Sequence, residues 1–508
     1  MTGDEPPSPN GSRGDGGEPG TSGATGTPGE PERRPSRAWW ARPGRVAAAT
    51  AVRARDAVVG NWFVLLTFVV GVLVGVLLST VAANGWPLAG GDDDIGGDTL
   101  TVLSGRDDSP NQQHRRLIET WNRLHPEMRA RIVELSPDAS EAQSAMQTRA
   151  ESSAHDVDVY NLDVTAIAEF AEKDWIVPLT DVDTTGFLEK PLDACRYRGD
   201  LWALPFNTDA GLLYYRPRQL VAHGIDAERA DLGSRPPQEW STLSKIIDVA
   251  LDGPRADGDP LAAGYAGQFA DYEGLTVNVM EAIWAEGGEV VDADGDVRLK
   301  SDEANRALRT LRAALRSPHV TLPETQTFKE AESTDAFRDG RVLLMRNWPL
   351  AYRQMTAPAT ETAPTSPNLA AARRPAATDV EVTRLPGPSA LGGQNLAVAS
   401  EGRHREQAQK LVEFLTSEGS QQILFQDGGF AATRQRIYED PYIRLNYGYA
   451  TTLLEAVKDA RLRPVTPYYD AFSREFRRIV TEIFRDGRDV SDNDVRRLED
   501  ALEGKLDN

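Results

Sequence analysis

Polar side chains follow or interrupt apolar strands at two places in the chain, where they could bind a small molecule. Asp163 closes the run "DVDVYNLD", and ligands of open α/β sheets bind at the carboxyl ends of strands. Asn207 and Asp209 lie in "GDLWALPFNTDAGLLYYRP", residues 199–217, where two apolar runs flank a predicted turn that contains both residues. A carboxylate at Asp209 can accept hydrogen bonds from two ligand hydroxyls, or it can bond only the backbone amides of the turn. The residues alone leave both interpretations open.

The sequence contains no familiar motif for catalysis, cofactor binding or metal binding. It has one cysteine, Cys195, and six scattered histidines, without CxxC or HxxxH spacing. GxSxG, Walker and HExxH motifs are also missing. A lone thiol beside "YRGDLW" is typical of a packed side chain, with a nucleophile as the alternative. We therefore predict no metal site and no cofactor.

Asp292, Asp294 and Asp296 have a spacing that partly matches a calcium-binding loop. The segment lacks the Gly at loop position 6 and the Glu at position 12. Alternating apolar residues flank its Asp-Gly pair, which is typical of a hairpin turn. The pattern favours the hairpin over a calcium site.

The charge balance argues against nucleic acid as a partner. The chain of 508 residues carries 77 acidic and 56 basic residues, a net charge of −21. The acidic excess lies in residues 92–508, because residues 1–61 carry eight Arg and seven acidic residues. Such a surface repels a phosphate backbone.

Residues 62–83, "WFVLLTFVVGVLVGVLLSTVAA", have the length and composition of one transmembrane helix. They contain no charge over 22 residues, which is enough to cross the ~30 Å hydrocarbon core. Arginines precede the segment and aspartates follow it, so residues 1–61 are predicted to form a disordered cytoplasmic tail with a basic juxtamembrane segment. Residues 84–97 would be a linker, and residues 98–508 would lie outside the cell. A cleaved signal peptide is the alternative, but the apolar run is long for one and begins about 60 residues into the chain.

Strand and helix patterns alternate after the linker and predict how the polar side chains are positioned. "DTLTVLSG" and "RARIVEL" read as strands, and "QQHRRLIETWNRLHP" between them reads as a helix with Leu117, Ile118, Trp121 and Leu124 on one face. A helix also follows the strand that ends at Asp163. This order favours an α/β fold with a mainly parallel sheet covered on both faces.

The order of six segments resembles the extracellular solute-binding proteins of ABC importers, specifically the large sugar-binding group (family 1) that includes maltose- and trehalose-binding proteins. Together the segments span about residues 98–484. They are "DVDVYNLDVTAIAEFAEKDWIVPL", "GDLWALPFNTDAGLLYYRPRQL", "AFRDGRVLLMRNWP", "LPGPSALGGQNLAVAS", "LVEFLTSEGSQQILFQDGGFAATRQRIYED" and "ARLRPVTPYYDAFSREF".

The resemblance implies a two-lobed periplasmic-binding-protein fold of type II. Lobe one would comprise about residues 98–207 and 393–432, and lobe two about residues 208–392 and 433–508. The protein would capture a small polar solute, a sugar or oligosaccharide, and deliver it to the permease subunits of an ABC transporter. It would not be an enzyme, and one helix would hold it in the cell membrane.

The resemblance also implies the site residues. Asn207 and Asp209 would lie at the mouth of the cleft, in the segment of the first hinge crossing, and Asp163 would be a cleft residue that matches the family aspartate after the "DVY" strand. Trp348 in "NWP" would be a platform for a sugar ring, and Arg463 in "RPVTP" would reach the solute.

Gly393, with Gly392 before it, would allow close backbone approach at the returning hinge strand. The next residue, Gln394, stands where many sugar-binding relatives have an aromatic residue, and it would offer hydrogen bonds to hydroxyls. Leu350 replaces a second aromatic residue of the group.

Two other functions are compatible with the same sequence. A membrane-anchored sensor would use the same lobe closure to signal through a partner. A cell-surface glycosidase would need a pair of carboxylates, which meet only in the folded protein.

Overall fold

The computed structural model describes residues 99–506, except for residues 110–111, 137, 153, 228–231, 233–236, 238, 254–255 and 357–378. The predicted tail (1–61), transmembrane helix (62–83) and linker (84–97) lie outside the described residues. Within the described ranges, no helix combines the length and the apolar composition needed to cross a membrane.

The strands fall into two larger sheets and one short hairpin. Their bounds are β1 Thr99–Ser104, β2 Arg129–Glu134, β3 Val159–Asp163, β4 Arg196–Tyr197, β5 Asp200–Leu201, β6 Ala203–Ala210, β7 Leu212–Tyr215, β8 Ala263–Ala266, β9 Val342–Asn347, β10 Glu381–Arg384 and β11 Leu391–Val398.

Helices cover the sheets and form much of the C-terminal part. Their bounds are α1 Gln113–Leu124, α2 Ala139–Glu151, α3 Ile167–Glu172, α4 Glu189–Asp193, α5 Pro217–Ala222, α6 Trp240–Asp252, α7 Glu273–Ala285, α8 Asp302–Arg316, α9 Glu330–Arg338, α10 Leu350–Thr356, α11 Arg405–Leu415, α12 Glu418–Ile423, α13 Gln435–Glu439, α14 Pro441–Asn446, α15 Ala450–Asp459, α16 Tyr469–Asp486 and α17 Asp492–Leu502. A 3₁₀ turn at Pro323–Thr327 and a π turn at Leu424–Gly428 complete the set.

The two larger sheets define two lobes. The first lobe is built on a five-stranded sheet of order β2-β1-β3-β11-β6, and the second lobe on a four-stranded sheet of order β10-β7-β9-β8. The second lobe has an apolar core formed by α6, α7, α8 and α16 against its sheet. Each lobe therefore buries its own sheet under helices, as expected for an α/β fold.

The expectation of mainly parallel sheets is wrong. β1 pairs in parallel with β2 and β3, and β8 with β9. β11 pairs antiparallel with both β3 and β6, and β7 pairs antiparallel with β9 and β10. Each of these antiparallel pairs includes a strand next to a crossing between the sheets, namely β6, β7, β10 or β11. Alternation of strands and helices along the chain does not reveal these crossings.

The predicted turn around Asn207 and Asp209 is a continuous strand. β6 runs through both residues to Ala210, and Gly211 alone separates it from β7 in the other sheet. A side chain on Gly211 would come within 2.8 Å of the side chains of Arg346 and Glu281. The chain thus crosses between the lobes at one tightly packed glycine.

Local predictions elsewhere are largely confirmed. Helix α1 buries Leu117, Ile118 and Trp121. The expectation for Leu124 is wrong, since this last residue of the helix is 61% exposed. Cys195 is fully buried, and burial raises the pKa of its thiol well above the usual value.

The Asp292–Asp296 segment is a hairpin turn. Val291 and Val297 form an antiparallel bridge. Asp292 Oδ1 accepts hydrogen bonds from the backbone amides of Asp294 and Asp296 at 3.1 and 2.9 Å. The carboxylate closes the turn instead of facing a cation.

Candidate functional site

Three predicted site residues form a row across neighbouring strands of the first lobe. Gln394 of β11 pairs with Asp163 of β3 on one side and with Asn207 of β6 on the other. Residues directly opposite each other in a sheet place their side chains on the same face. Asp163, Gln394 and Asn207 therefore present one carboxylate and two amides side by side, in that order.

Two more polar residues extend this row on the same face. Asn161 precedes Asp163 by two positions, and Asp209 follows Asn207 by two. Asn161 Nδ2 donates to Ser104 Oγ at 2.9 Å and to Gln394 Oε1 at 3.1 Å. We call these five residues the polar row: Asn161, Asp163, Gln394, Asn207 and Asp209.

Two buried amide oxygens of the polar row have no hydrogen-bond partner among the described residues. They are Asn161 Oδ1 and Asn207 Oδ1, on side chains only 2% and 3% exposed. Buried polar atoms without partners are rare in folded proteins, and a bound molecule is one common reason for them.

Asp209 lacks a counter-ion. No Lys, Arg or His nitrogen of the described residues lies within ion-pair distance of its carboxylate, and Asn207 Nδ2 donates to Oδ2 over a long 3.4 Å. Burial and the nearby Asp163 carboxylate raise the pKa of Asp209 to about 8, while Arg346 partly opposes that rise. The raised pKa favours the protonated, neutral carboxyl group at neutral pH.

Arg463 joins the two lobes. Its Nη2 donates to Asp163 Oδ1 at 3.2 Å, and its Nη1 donates to Glu273 Oε1, at the start of α7, at 2.6 Å. Tyr469 and Ser473 also donate to the Glu273 carboxylate. Although burial favours the neutral form, Tyr469, Asp163 and Glu273 raise the pKa of Arg463, so the guanidinium stays charged.

Trp348 lies on the second lobe beside Asp209. A Cβ added to Gly392 would lie 3.2 Å from Asp209 Cβ and 3.3 Å from two ring carbons of Trp348, so the two side chains flank this glycine. The Arg346 guanidinium covers the indole at 3.9 Å from the ring centroid. One face of the indole is therefore occupied by Arg346.

Gly393 occupies a position that requires glycine. Its φ is +118°, and an added Cβ would lie 2.4 Å from the carbonyl oxygen of Asn207. A bulge follows between Gln394 and Asn395. This irregularity sets where the side chain of Gln394 emerges from the sheet.

Sequence reasoning missed Asn161 and the buried pair of Arg346 and Glu281. Arg346 donates to both Glu281 oxygens, at 2.7 and 2.9 Å, and their side chains are only 1% and 4% exposed. The signals were present: "VLLMRN" has one charge in an apolar strand, and "VNVMEAIWA" has one charge in an apolar helix. Two buried charges of opposite sign predict each other as partners.

Comparison with known proteins places this geometry in a family. A family model described as bacterial extracellular solute-binding protein matches residues 129–446. The chain belongs to this family. The solute-binding protein is 28% identical, over 337 residues, to a probable ABC transporter-binding protein of Deinococcus radiodurans, an alignment that covers 65% of this chain and 75% of that relative.

Solved structures agree with this assignment. Maltose-bound MalE3 of T. maritima matches with a TM-score of 0.67 and 26% identity, over 81% of this chain and 100% of that chain. The GacH receptor of Streptomyces glaucescens, solved unliganded and with acarbose, matches with a TM-score of 0.66 and 19% identity, over 81% and 98%. UgpB of Mycobacterium tuberculosis, in complex with glycerophosphocholine, matches with a TM-score of 0.64 and 19% identity, over 81% and 100%.

These findings confirm the predicted two-lobed α/β periplasmic-binding-protein fold and the predicted role. The protein is a solute-binding protein for ABC transporters, and members of this family bind solutes and are not enzymes. The family places its solute-binding domain outside the cytoplasm.

Proposed function

We propose that the solute is a carbohydrate and that it binds between the polar row and Trp348. The observation that carries this proposal is the alignment of Asp163, Gln394 and Asn207 in one row. Side-chain oxygens there accept hydrogen bonds from sugar hydroxyls, and an indole face suits the C–H face of a sugar ring. The proposed contact residues are Asp163, Asn207, Asp209, Trp348, Gly393, Gln394 and Arg463.

The relatives support a sugar. T. maritima MalE3 was solved with maltose and the Streptomyces glaucescens receptor with acarbose. Trp348 is one aromatic platform beside many polar groups, which suits a small, hydrophilic sugar.

We propose that closure of the lobes captures the solute. Lobe one would comprise about residues 98–210 and 391–432, and lobe two about residues 212–390 and 433–508, since β6 and β11 lie in the first sheet and Gly211 separates β6 from β7. The contact of Arg463 with Asp163 and Glu273 ties the two sides of the site together. The closed form would then present the solute to the permease.

We also propose that residues 62–83 hold the protein in the cytoplasmic membrane, with residues 1–61 inside the cell. The support is the uncharged run of 22 residues and its flanking charges. Protease treatment of intact protoplasts should remove residues 98–508 and leave a tag at the N-terminus protected. Cleavage of that tag would contradict the proposed orientation.

Thermal unfolding of the full chain against a panel of mono-, di- and oligosaccharides tests the carbohydrate proposal. The detergent must lack a sugar headgroup, since such a headgroup would compete for the site. A ligand at 1,000 times its Kd stabilises the folded state by about 4 kcal/mol. The Asp209→Ala variant should lose that shift, whereas Asp200→Ala, at an exposed position in β5, should keep it. If no carbohydrate shifts the melting temperature, the proposal is wrong.

A further inference from the structure

The polar row contains buried hydrogen-bond acceptors that are not satisfied within the protein. Asn161 Oδ1 and Asn207 Oδ1 are buried without partners among the described residues. The Asn207 amide nitrogen points at Asp209 over 3.4 Å, and the Asn161 amide nitrogen is used by Ser104 and Gln394. A solute that satisfies these oxygens must be rich in donors.

The two arginines nearest the row are each paired with a glutamate outside it. Arg346 is held by both oxygens of Glu281, and Arg463 donates to Glu273 at 2.6 Å. Both glutamates lie on α7 of the second lobe. Each arginine thus has its own glutamate. Arg463 also donates to Asp163 Oδ1 at 3.2 Å, whereas Asp209 has no ion-pair partner among the described residues.

A further, partly buried carboxyl group, that of Asp470, lies between the lobes. Asp470 of α16 accepts hydrogen bonds from the neutral amides of Gln143 and Gln147, at 3.2 and 3.0 Å. Burial, together with Glu169 and Asp163, raises the pKa of Asp470. Gln147 and Arg474 oppose that rise. Acidic groups therefore extend beyond the row.

We propose that the solute is an amino sugar with a free, positively charged amino group. This ammonium group would bind to the carboxylate of Asp209, between Asp209 and Asp163. This inference rests on the proposed function and narrows its substrate class. An ammonium group supplies three donors and no acceptor, so it matches both the missing counter-ion of Asp209 and the free amide oxygens beside it. The hydroxyls of the sugar ring would form hydrogen bonds with the other residues of the polar row.

The charged and titratable groups around Asp209 support the same assignment. They are Asp163 of β3, Arg346 of β9, Tyr214 of β7 and Tyr438 of α13. Both tyrosines have pKa values well above the usual range, so they stay neutral, and Arg346 is already paired. Because the pKa of Asp209 is raised to about 8, the solute-free protein largely holds a proton there at neutral pH, and an arriving ammonium group would displace it to solvent.

Calorimetric titration of the full chain with matched sugar pairs tests the inference. The pairs are glucosamine with glucose, galactosamine with galactose, and the unacetylated glucosamine disaccharide with cellobiose. N-acetylglucosamine adds a neutral control, and 1,4-diaminobutane a cation without a ring. At about pH 7 the amino member of one pair should bind at least about tenfold tighter than its neutral partner. Its binding heat should change with the ionisation enthalpy of the buffer, because a proton is released.

Two variants test whether Asp209 causes the preference for the amino sugar. Asp209→Asn keeps the shape and removes the charge, so it should abolish the preference and the proton release. Asp200→Asn, in exposed β5, should change neither. A melting curve for each variant verifies that it folds.

The outcomes separate the inference from the proposed function. Equal or tighter binding of neutral sugars, or a preference that survives in Asp209→Asn, overturns the amino-sugar inference and leaves a carbohydrate binder. Binding of 1,4-diaminobutane as tightly as the best amino sugar also overturns it, since hydroxyls would then add nothing. If no compound of this panel or of the wider carbohydrate panel binds, the proposed function fails.

Discussion

At the scale of single residues, the protonation of Asp209 links stability to pH. Burial and Asp163 raise the pKa of Asp209 to about 8, whereas the unfolded chain loses that proton near pH ~4. Between these values the folded state binds the extra proton, so the free energy of unfolding falls as pH rises through this window.

Asp209→Asn should therefore remove much of the decline in melting temperature between about pH 5 and about pH 8, and it should melt above the wild type at the alkaline end. Calorimetry across this range measures both curves. Asp200→Asn, at an exposed position, should follow the wild type. If the melting temperatures of wild type and Asp209→Asn depend on pH in the same way, the raised pKa of Asp209 is contradicted.

Gly393 should tolerate no side chain. Its φ of +118° and the 2.4 Å distance from an added Cβ to the Asn207 carbonyl oxygen predict that Gly393→Ala lowers the free energy of unfolding by about 1–3 kcal/mol. Gly419→Ala in α12 is the control, because its Cβ would meet nothing within 4 Å; it should be neutral or stabilise by about 0.5–1 kcal/mol. Urea unfolding measures the free energy of unfolding of both variants, and equal values for Gly393→Ala and Gly419→Ala would refute the steric argument.

At the scale of elements, the Arg346–Glu281 pair ties strand β9 to helix α7 beneath Trp348. Glu281 also accepts a hydrogen bond from the backbone amide of Ala390, just before β11. Glu281→Gln would leave a buried guanidinium without its counter-ion, which costs about 3–5 kcal/mol.

The same substitution should weaken solute binding, because Arg346 stacks on the indole of Trp348. Glu286→Gln, one residue beyond the end of α7, breaks an exposed ion pair with Arg306 and should leave stability and binding unchanged. Denaturant curves and binding titrations of both variants supply the comparison. If Glu281→Gln and Glu286→Gln have similar stability and solute affinity, burial of the Arg346–Glu281 pair is unimportant.

The elements of the first lobe were readable from the sequence, because β1, α1, β2 and β3 follow local apolar periodicity. The directions of β6 and β11 were not, since strand neighbours in a sheet depend on residues far apart in the chain. The same limit applies to the site. Asp163 was identified from a strand end alone, whereas the row through Gln394 requires the register of β11 between β3 and β6.

At the scale of the whole molecule, contacts on α2 connect the lobes at a distance from the polar row. Asp138, the N-cap of α2, pairs with Lys329 at the start of α9, and Gln143 and Gln147 contact Asp470. These contacts favour the closed arrangement. Exposed ion pairs contribute only about 0–1 kcal/mol, so the effect of each on closure is small.

Lys329→Gln should shift the solute-free protein towards more open forms. Small-angle scattering should show a larger radius of gyration, and solute affinity should fall by at most about fivefold. Lys300→Gln is the matched control, because its ion pair with Asp492 lies within the second lobe. If both variants scatter and bind like the wild type, the contact with Asp138 does not influence closure.

The burial of Cys195 makes this protein well suited to site-specific labelling. Its Sγ lies 3.4 Å from the Pro191 carbonyl oxygen and 3.3 Å from Asn395 Oδ1, and it is the only thiol in the chain. A maleimide dye would therefore leave it unmodified in the folded protein. Cysteines introduced at the exposed alanines Ala145 of α2 and Ala313 of α8 would carry a donor and an acceptor fluorophore, and energy transfer would follow the lobes of one molecule in real time.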